Sequence, residues 1–258
     1  MHGFPDSKSI WDPVIDGLTS AGFRLIIPDM RGFGETDIAP LTKDYDIAVG
    51  ACPDMLSLLD HFKIDRAHIV GHDFGSPVAW RLASVHPERC VSLAALSVGH
   101  MRAFVNAGWA QKWKSLYILF HQFRGLCEWA YQRNDWSTLR THWSAHGNIE
   151  ETIALLARPG RLTAGLNWYR ANIGVARMLR PPPEGFMGEE RVFIPTLGIW
   201  SDGDAYLTEQ QMTASQDYVN APWEYSKYES VSHWLQLEAP ERLASDLIRH
   251  WRNAEAAL

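Results

Sequence analysis

The feature that most restricts this chain is Gly71-His72-Asp73-Phe74-Gly75. It stands between a short apolar run, Ala67 to Val70, and a helical pattern over residues 75–86. A turn from strand directly into helix leaves no space for side chains, which is why small residues flank its apex. The apex residue then sits at the N-terminal end of the helix, where the dipole and free N–H groups stabilise an anion. Strand, G-x-Nuc-x-G and helix in that order is the context of a nucleophile elbow, so Asp73 is the candidate nucleophile. The plainer role for Asp73 is that of a helix cap.

The flanking sequence keeps the same rhythm. Residues 9–21 read as helix, and Phe23 to Ile27 as a short strand buried on both faces. Residues 48–62 read as helix, with Ala51, Met55, Leu58, Leu59 and Phe62 on one face, and Cys90 to Leu96 as a strand. Alternation of strand and helix predicts a parallel α/β sheet. From about residue 99 to 190 the pattern is helical without a clear strand. This stretch carries six of the twelve tryptophans (Trp109, Trp113, Trp129, Trp136, Trp143 and Trp168) and ends at Pro181-Pro182-Pro183. Strand signals return at Val192–Trp200 and Glu224–Tyr228, and a last helix places Leu243, Leu247, Ile248 and Trp251 on one face. The expected organisation is a core in two parts, 1–98 and 191–258, interrupted by a helical cap over 99–190 that lids an apolar pocket.

At 258 residues the chain is long enough to bury a core without metals or disulfides. Its net charge of −6 argues against a nucleic-acid partner, and no apolar run reaches the ~18 residues of a membrane span. Cys52, Cys90 and Cys127 are odd in number and far apart, which suits a reducing cytoplasm. Neither a C-x-x-C nor an H-E-x-x-H pattern occurs, so no metal site is expected.

An aspartate at the elbow sets the reaction class. A carboxylate is a weak acyl-transfer nucleophile but suits displacement at an sp³ carbon bearing a leaving group, which leaves an alkyl ester on the enzyme. Cleaving that ester needs a base and an oxyanion hole. The base candidate is His233, in Val231-Ser232-His233-Trp234, and its orienting acid is Asp204, with Asp202 as the rival. Nucleophile, acid and base then follow in the chain order of hydrolases built on such a sheet. The backbone N–H groups of Phe74 and Phe4 are the candidate oxyanion donors.

Several segments extend the pattern: His2-Gly3-Phe4-Pro5, Arg31-Gly32-Phe33-Gly34-Glu35-Thr36, Gly71 to Ser76, the Asp204 loop and Ser232-His233-Trp234. Through these the chain resembles the α/β-hydrolase-fold epoxide hydrolases over nearly its whole length. Within the helical stretch, Ser115 to Gln122 and Leu166-Asn167-Trp168-Tyr169-Arg170 are similar to the two segments in which that family places its lid tyrosines. The resemblance implies that Tyr117 and Tyr169 hydrogen-bond the epoxide oxygen and that no cofactor is used. It also implies a vicinal diol as product. A phenol can supply a proton to the alkoxide released by ring opening. Haloalkane dehalogenases share the fold and the aspartate, but their halide donors would stand where this chain has Phe4 and Phe74, and neither side chain donates. A non-catalytic binding protein on the same fold is the other alternative. The expected partners are a small apolar or aryl epoxide and water, with a homodimer left open.

In such folds HGFP follows a strand near the middle of the sheet, and earlier strands precede that one. Three strands would take roughly 20–30 residues, at ~5–6 residues each plus their turns. The sheet is therefore expected to lack strands ahead of His2, with unpaired backbone groups and a gap in the core.

Overall fold

The computed structural model describes residues 1–174 and 191–257, so Pro181-Pro182-Pro183, which the sequence sets at the end of the cap, lies outside the described residues. Four strands form one sheet: β1 (Ala67–His72), β2 (Cys90–Leu96), β3 (Thr196–Ser201) and β4 (Trp223–Tyr228). They lie in chain order and every neighbouring pair is parallel. The register sets Gly71 opposite Ala95, Leu96 opposite Ile199, and Ser201 opposite Tyr228, so the C-terminal ends of all four strands open on one side. β3 is buried throughout and β2 nearly so, as their continuous apolar sequence requires of strands covered on both faces.

Helices α1 (Asp12–Ser20), α2 (Cys52–His61) and α3 (Gly75–Val85) precede or join the first strands. α3 packs on β1 and β2 and is apolar nearly all round, so it is almost wholly buried. Between β2 and β3 the described chain is helical: α4 (Met101–Asn106), α5 (Gly108–Lys114), α6 (Tyr117–His121), α7 (Leu126–His142), α8 (Ile149–Leu156) and α9 (Arg161–Asn172). α7 breaks at Arg133–Trp136, where three residues take left-handed backbone angles. After β3 come α10 (Glu209–Thr213), α11 (Leu235–Glu238) and α12 (Pro240–Glu255). α12 buries Leu243, Leu247 and Trp251 against β2 and α1, the stripe expected from its sequence.

Three elements differ from the sequence expectation. Phe23–Ile27 forms no strand. A strand exists through its neighbours, and the backbone of residues 24–28 finds no backbone partner among the described residues. The expected strand at Val192–Trp200 begins only at Thr196, because Pro195 has no N–H for the ladder; Val192 makes an isolated bridge to Val219 instead. The helix expected at 48–62 opens with a wide turn over Ile47–Ala51, capped by Asp46, whose Oδ1 accepts from Ala48 N at 2.8 Å.

The segment Leu166-Asn167-Trp168-Tyr169-Arg170 fixes α9 against the sheet's loops. Trp168 is fully buried and its indole N–H donates to the Arg31 carbonyl at 3.1 Å. Asn172, one turn on, donates to the Tyr45 carbonyl at 2.9 Å and accepts from Ile47 N at 3.0 Å. Arg170 makes a two-pronged pair with Glu128 on α7 and donates to the His121 carbonyl on α6. One helix therefore ties the inserted helices to the loops following residue 30.

Candidate active site

Asp73 stands between β1 and α3 with φ +50°, a backbone conformation that L side chains rarely adopt. The glycines around it are steric necessities. A Cβ on Gly71 would strike the Gly75 backbone, one on Gly75 would strike Met1, and one on Gly3 would strike the Asp73 carboxylate. Gly3 thus lets the early loop lie directly on the elbow. There the Phe4 N–H donates to Asp73 Oδ1 at 2.9 Å, and the Phe74 amide also acts on the carboxylate.

His233 follows β4 and lies with its Nε2 3.5 Å from Asp73 Oδ2. Its Nδ1 bonds Asp204 Oδ2 at 2.7 Å. Asp204 Oδ1 accepts from the backbone N–H groups of Tyr206 at 2.8 Å and Leu207 at 3.0 Å, so the acid is fixed by its own loop. Asp202 faces elsewhere and accepts from Ser230 N at 2.7 Å. Of the two acids it is Asp204 that meets the histidine. The side chains of Asp204 and His233 are 0% and 3% exposed, whereas that of Asp73 is 15% exposed, so the elbow carboxylate is the member open to a ligand.

Protonation follows from this arrangement. Burial disfavours a charged His233, but the Asp204 and Asp73 carboxylates outweigh it and push its pKa up to about 10. Burial works against an ionised Asp73, yet the His233 hydrogen bond and charge, with the Phe74 amide, hold it below the usual carboxylate value. Both shifts favour the charged forms, a carboxylate on Asp73 beside an imidazolium on His233.

Tyr117 begins α6 and Tyr169 lies in α9, and their rings are 6.1 Å apart. Both border a cavity of about 50 Å³ together with Asp73 and Phe74, and the rest of its wall is mostly apolar, including Pro77, Met101 and Ile118. Burial, then the neighbouring charges, raise both phenols well above their ordinary pKa, so each remains a proton donor. Gly165 makes this approach possible: a Cβ there would come within 2.8 Å of the Phe4 ring and hold α9 away.

The structure thus brings together all seven residues singled out from the sequence: Phe4, Asp73, Phe74, Tyr117, Tyr169, Asp204 and His233. It adds three more. The Tyr206 ring lies 5.4 Å from that of His233 and 5.7 Å from that of Tyr117, and its hydroxyl donates to the His142 carbonyl at 2.6 Å. Lys114 on α5 donates to the Asp204 carbonyl at 2.7 Å. His72, buried behind the elbow with its pKa lowered to about 4 by burial, bonds the His233 carbonyl through Nε2 at 2.9 Å. The sequence holds one faint signal for the first, a tyrosine two residues after the acid. It holds none for Lys114, whose partner is 90 positions away.

A description of the alpha/beta hydrolase fold family matches residues 1–240. The chain belongs to that family. Two relatives of this α/β hydrolase show how far the similarity extends. It is 29% identical to the AB hydrolase superfamily protein YfhM of Bacillus subtilis, over 98% of this chain and 89% of that protein. It is 28% identical to an epoxide hydrolase of Caballeronia sordidicola, over all of this chain and 88% of that one. Among solved structures, epoxide hydrolase A of Mycobacterium thermoresistibile superimposes with a TM-score of 0.81 at 24% identity, covering 97% of this chain and 89% of that one. That likeness concerns the fold. Among the described residues this α/β hydrolase has no cluster of three potential metal ligands and no helix long and apolar enough to cross a membrane.

Proposed function

We propose that this α/β hydrolase opens an epoxide to a vicinal diol through a covalent ester on Asp73. One observation carries the reading: the elbow carboxylate, the most accessible member of its triad, shares a small apolar cavity with two neutral phenols, with a His–Asp pair behind it. Asp73 attacks the less hindered ring carbon while Tyr117 and Tyr169 donate to the oxygen, so the C–O bond breaks as a phenol supplies the proton. Esterification removes the Asp73 charge. His233 then loses one of the two carboxylates that hold its proton, and that proton restores the phenolate by way of the solvent. Neutral His233, oriented by Asp204, next takes a proton from water as the water attacks the ester carbonyl. The Phe4 and Phe74 N–H groups stabilise the oxyanion. Collapse expels the diol, which takes the proton from His233, and the carboxylic acid left on Asp73 passes its remaining proton to His233, which restores the carboxylate and the imidazolium. The protons balance without a cofactor.

In this scheme residues 99–190 act as the lid that carries both phenols, and 1–98 with 191–258 form the core that carries the triad. Phe4 and Phe74 favour an epoxide over a haloalkane, since neither side chain can bind a departing halide. The indole N–H of Trp168, beside Phe74, is already committed to the Arg31 carbonyl.

The test is turnover and trapping together. Purified protein should convert styrene oxide to its diol and release no bromide from 1-bromobutane. His233→Gln should accumulate substrate mass on the peptide containing Asp73. Bromide without diol would overturn the epoxide reading. Undiminished diol release from His233→Gln, with no adduct, would overturn the covalent mechanism.

A further inference from the structure

Helix α5 is inverted in polarity. Trp109 and Trp113 are 84% and 77% exposed, and of its seven residues only Gln111 is buried. A buried side-chain amide brings two N–H donors and two acceptor sites, and each one left unpaired costs stability. Gln111 pairs all four. Its Nε2 donates to the Tyr206 carbonyl and to Ser115 Oγ, both at 3.0 Å. Its Oε1 accepts from the Thr208 backbone N–H at 2.9 Å and from Thr208 Oγ1 at 3.1 Å. Three of these bonds go to the loop that follows Asp204.

The decisive contact is with a single peptide unit of that loop. The Tyr206 carbonyl that accepts from Gln111 belongs to the same amide as the Leu207 N–H, which donates to Asp204 Oδ1 at 3.0 Å. An amide bonded at both ends is polarised and fixed in orientation. Asp204 turns its other oxygen, Oδ2, to His233 Nδ1 at 2.7 Å. An unbroken run of hydrogen bonds therefore leads from α5 through the loop and the acid to the base. Lys114, further along α5, holds the Asp204 carbonyl at 2.7 Å. Tyr117 follows six residues after Gln111, so one short stretch of chain bears a phenol and also holds the acid.

We propose that Gln111 is a positioning residue for the hydrolytic half of the reaction: it holds the Tyr206–Leu207 peptide so that Asp204 keeps His233 aimed at water. This rests on the ester mechanism proposed for Asp73. Ester formation engages Asp73 and the phenols. Ester hydrolysis needs a neutral His233 whose Nδ1–H stays on Asp204, since otherwise Nε2 carries the proton and cannot take one from water. Loss of the Gln111 bonds should therefore slow the second step and spare the first.

Gln111→Met keeps the bulk and loses all four bonds. Gln111→Ser leaves room for water at both backbone groups, which guards against loss of fold. Thr208→Val is the control, since it removes only the Oγ1 bond to Gln111. Single-turnover mixing with styrene oxide, followed by mass on the peptide containing Asp73, separates ester formation from ester hydrolysis. The low-field proton NMR signal of His233 Nδ1–H reads the bond to Asp204 without substrate. Both Gln111 variants should form the ester within about twofold of the parent rate, hydrolyse it about tenfold or more slowly, and shift or broaden the Nδ1–H signal. Thr208→Val should match the parent in all three. Equal slowing of both steps, or an unmoved Nδ1–H signal, would overturn the proposal in favour of a purely structural role. So would loss of the cooperative urea transition in both Gln111 variants. The same kinetic split in Thr208→Val would overturn it by showing that any loosening around α5 suffices. A parent enzyme that forms no ester would defeat the proposed chemistry instead, and the Nδ1–H signal would still decide for or against the positioning role.

Discussion

Asp73 and His233 act as one unit, because each sets the other's protonation. Asp73→Asn is expected to lower kcat on an epoxide by on the order of 10³–10⁴-fold without loss of fold, as the amide keeps the acceptor for Phe4 N–H but cannot form the ester. Tyr169→Phe keeps the ring against Phe4 and Phe74 and should cost about 10²-fold or more in kcat, with a small change in melting temperature. Stability should also follow the site. His233 is held above its ordinary value of 6.5, so its contribution is complete below that pH and is lost as pH rises toward 10. Asp73 is held below 3.8, so its contribution is present above that pH and is lost as pH falls through the lowered value. Urea denaturation of the parent and of His233→Gln across pH 6–10 should therefore give curves that converge at the alkaline end. These residues were legible in the sequence because each sits beside an element boundary and belongs to a short pattern. Tyr206 and Lys114 were not legible, because their roles rest on contacts between distant parts of the chain.

At the scale of elements, α9 matters more than its weak sequence pattern suggests. Gly165 is unfavourable within a helix, yet Ala would place a methyl against Phe4 and Phe33. The gain in helix propensity, about 1 kcal/mol, is offset by overpacking of about 1–3 kcal/mol. Gly165→Ala should thus alter the melting temperature little while lowering kcat about tenfold or more, since α9 would carry Tyr169 away from Asp73. Arg170→Met should destabilise the fold by about 3 kcal/mol, as Glu128 would lose its partner in a nearly dry site; equilibrium unfolding in urea measures this directly. The strands β1 and β2 were legible from short, mostly apolar runs beside turn signals. Phe23–Ile27 carries an equally good run and is no strand, because a run specifies what a segment can do and the neighbouring backbone decides what it does.

Across the whole molecule, order should follow burial. Hydrogen exchange should be slowest in β2 and β3, which are buried on both faces, and much faster along residues 24–28, whose backbone has no backbone partner among the described residues. Protection of residues 24–28 equal to that of β2 and β3 would contradict this order. Fold class was readable from the alternation of elements. The parallel register has a further consequence. Asp73 leaves β1, Asp204 leaves β3 and His233 follows β4, so the three meet only when every strand has docked at the right residue. A slip of one residue in any strand would turn its side chains to the other face and part the triad. Turnover is therefore a built-in gauge of assembly: during refolding, recovered catalysis would mark the moment the last strand locks, later than compaction or helix content could signal it.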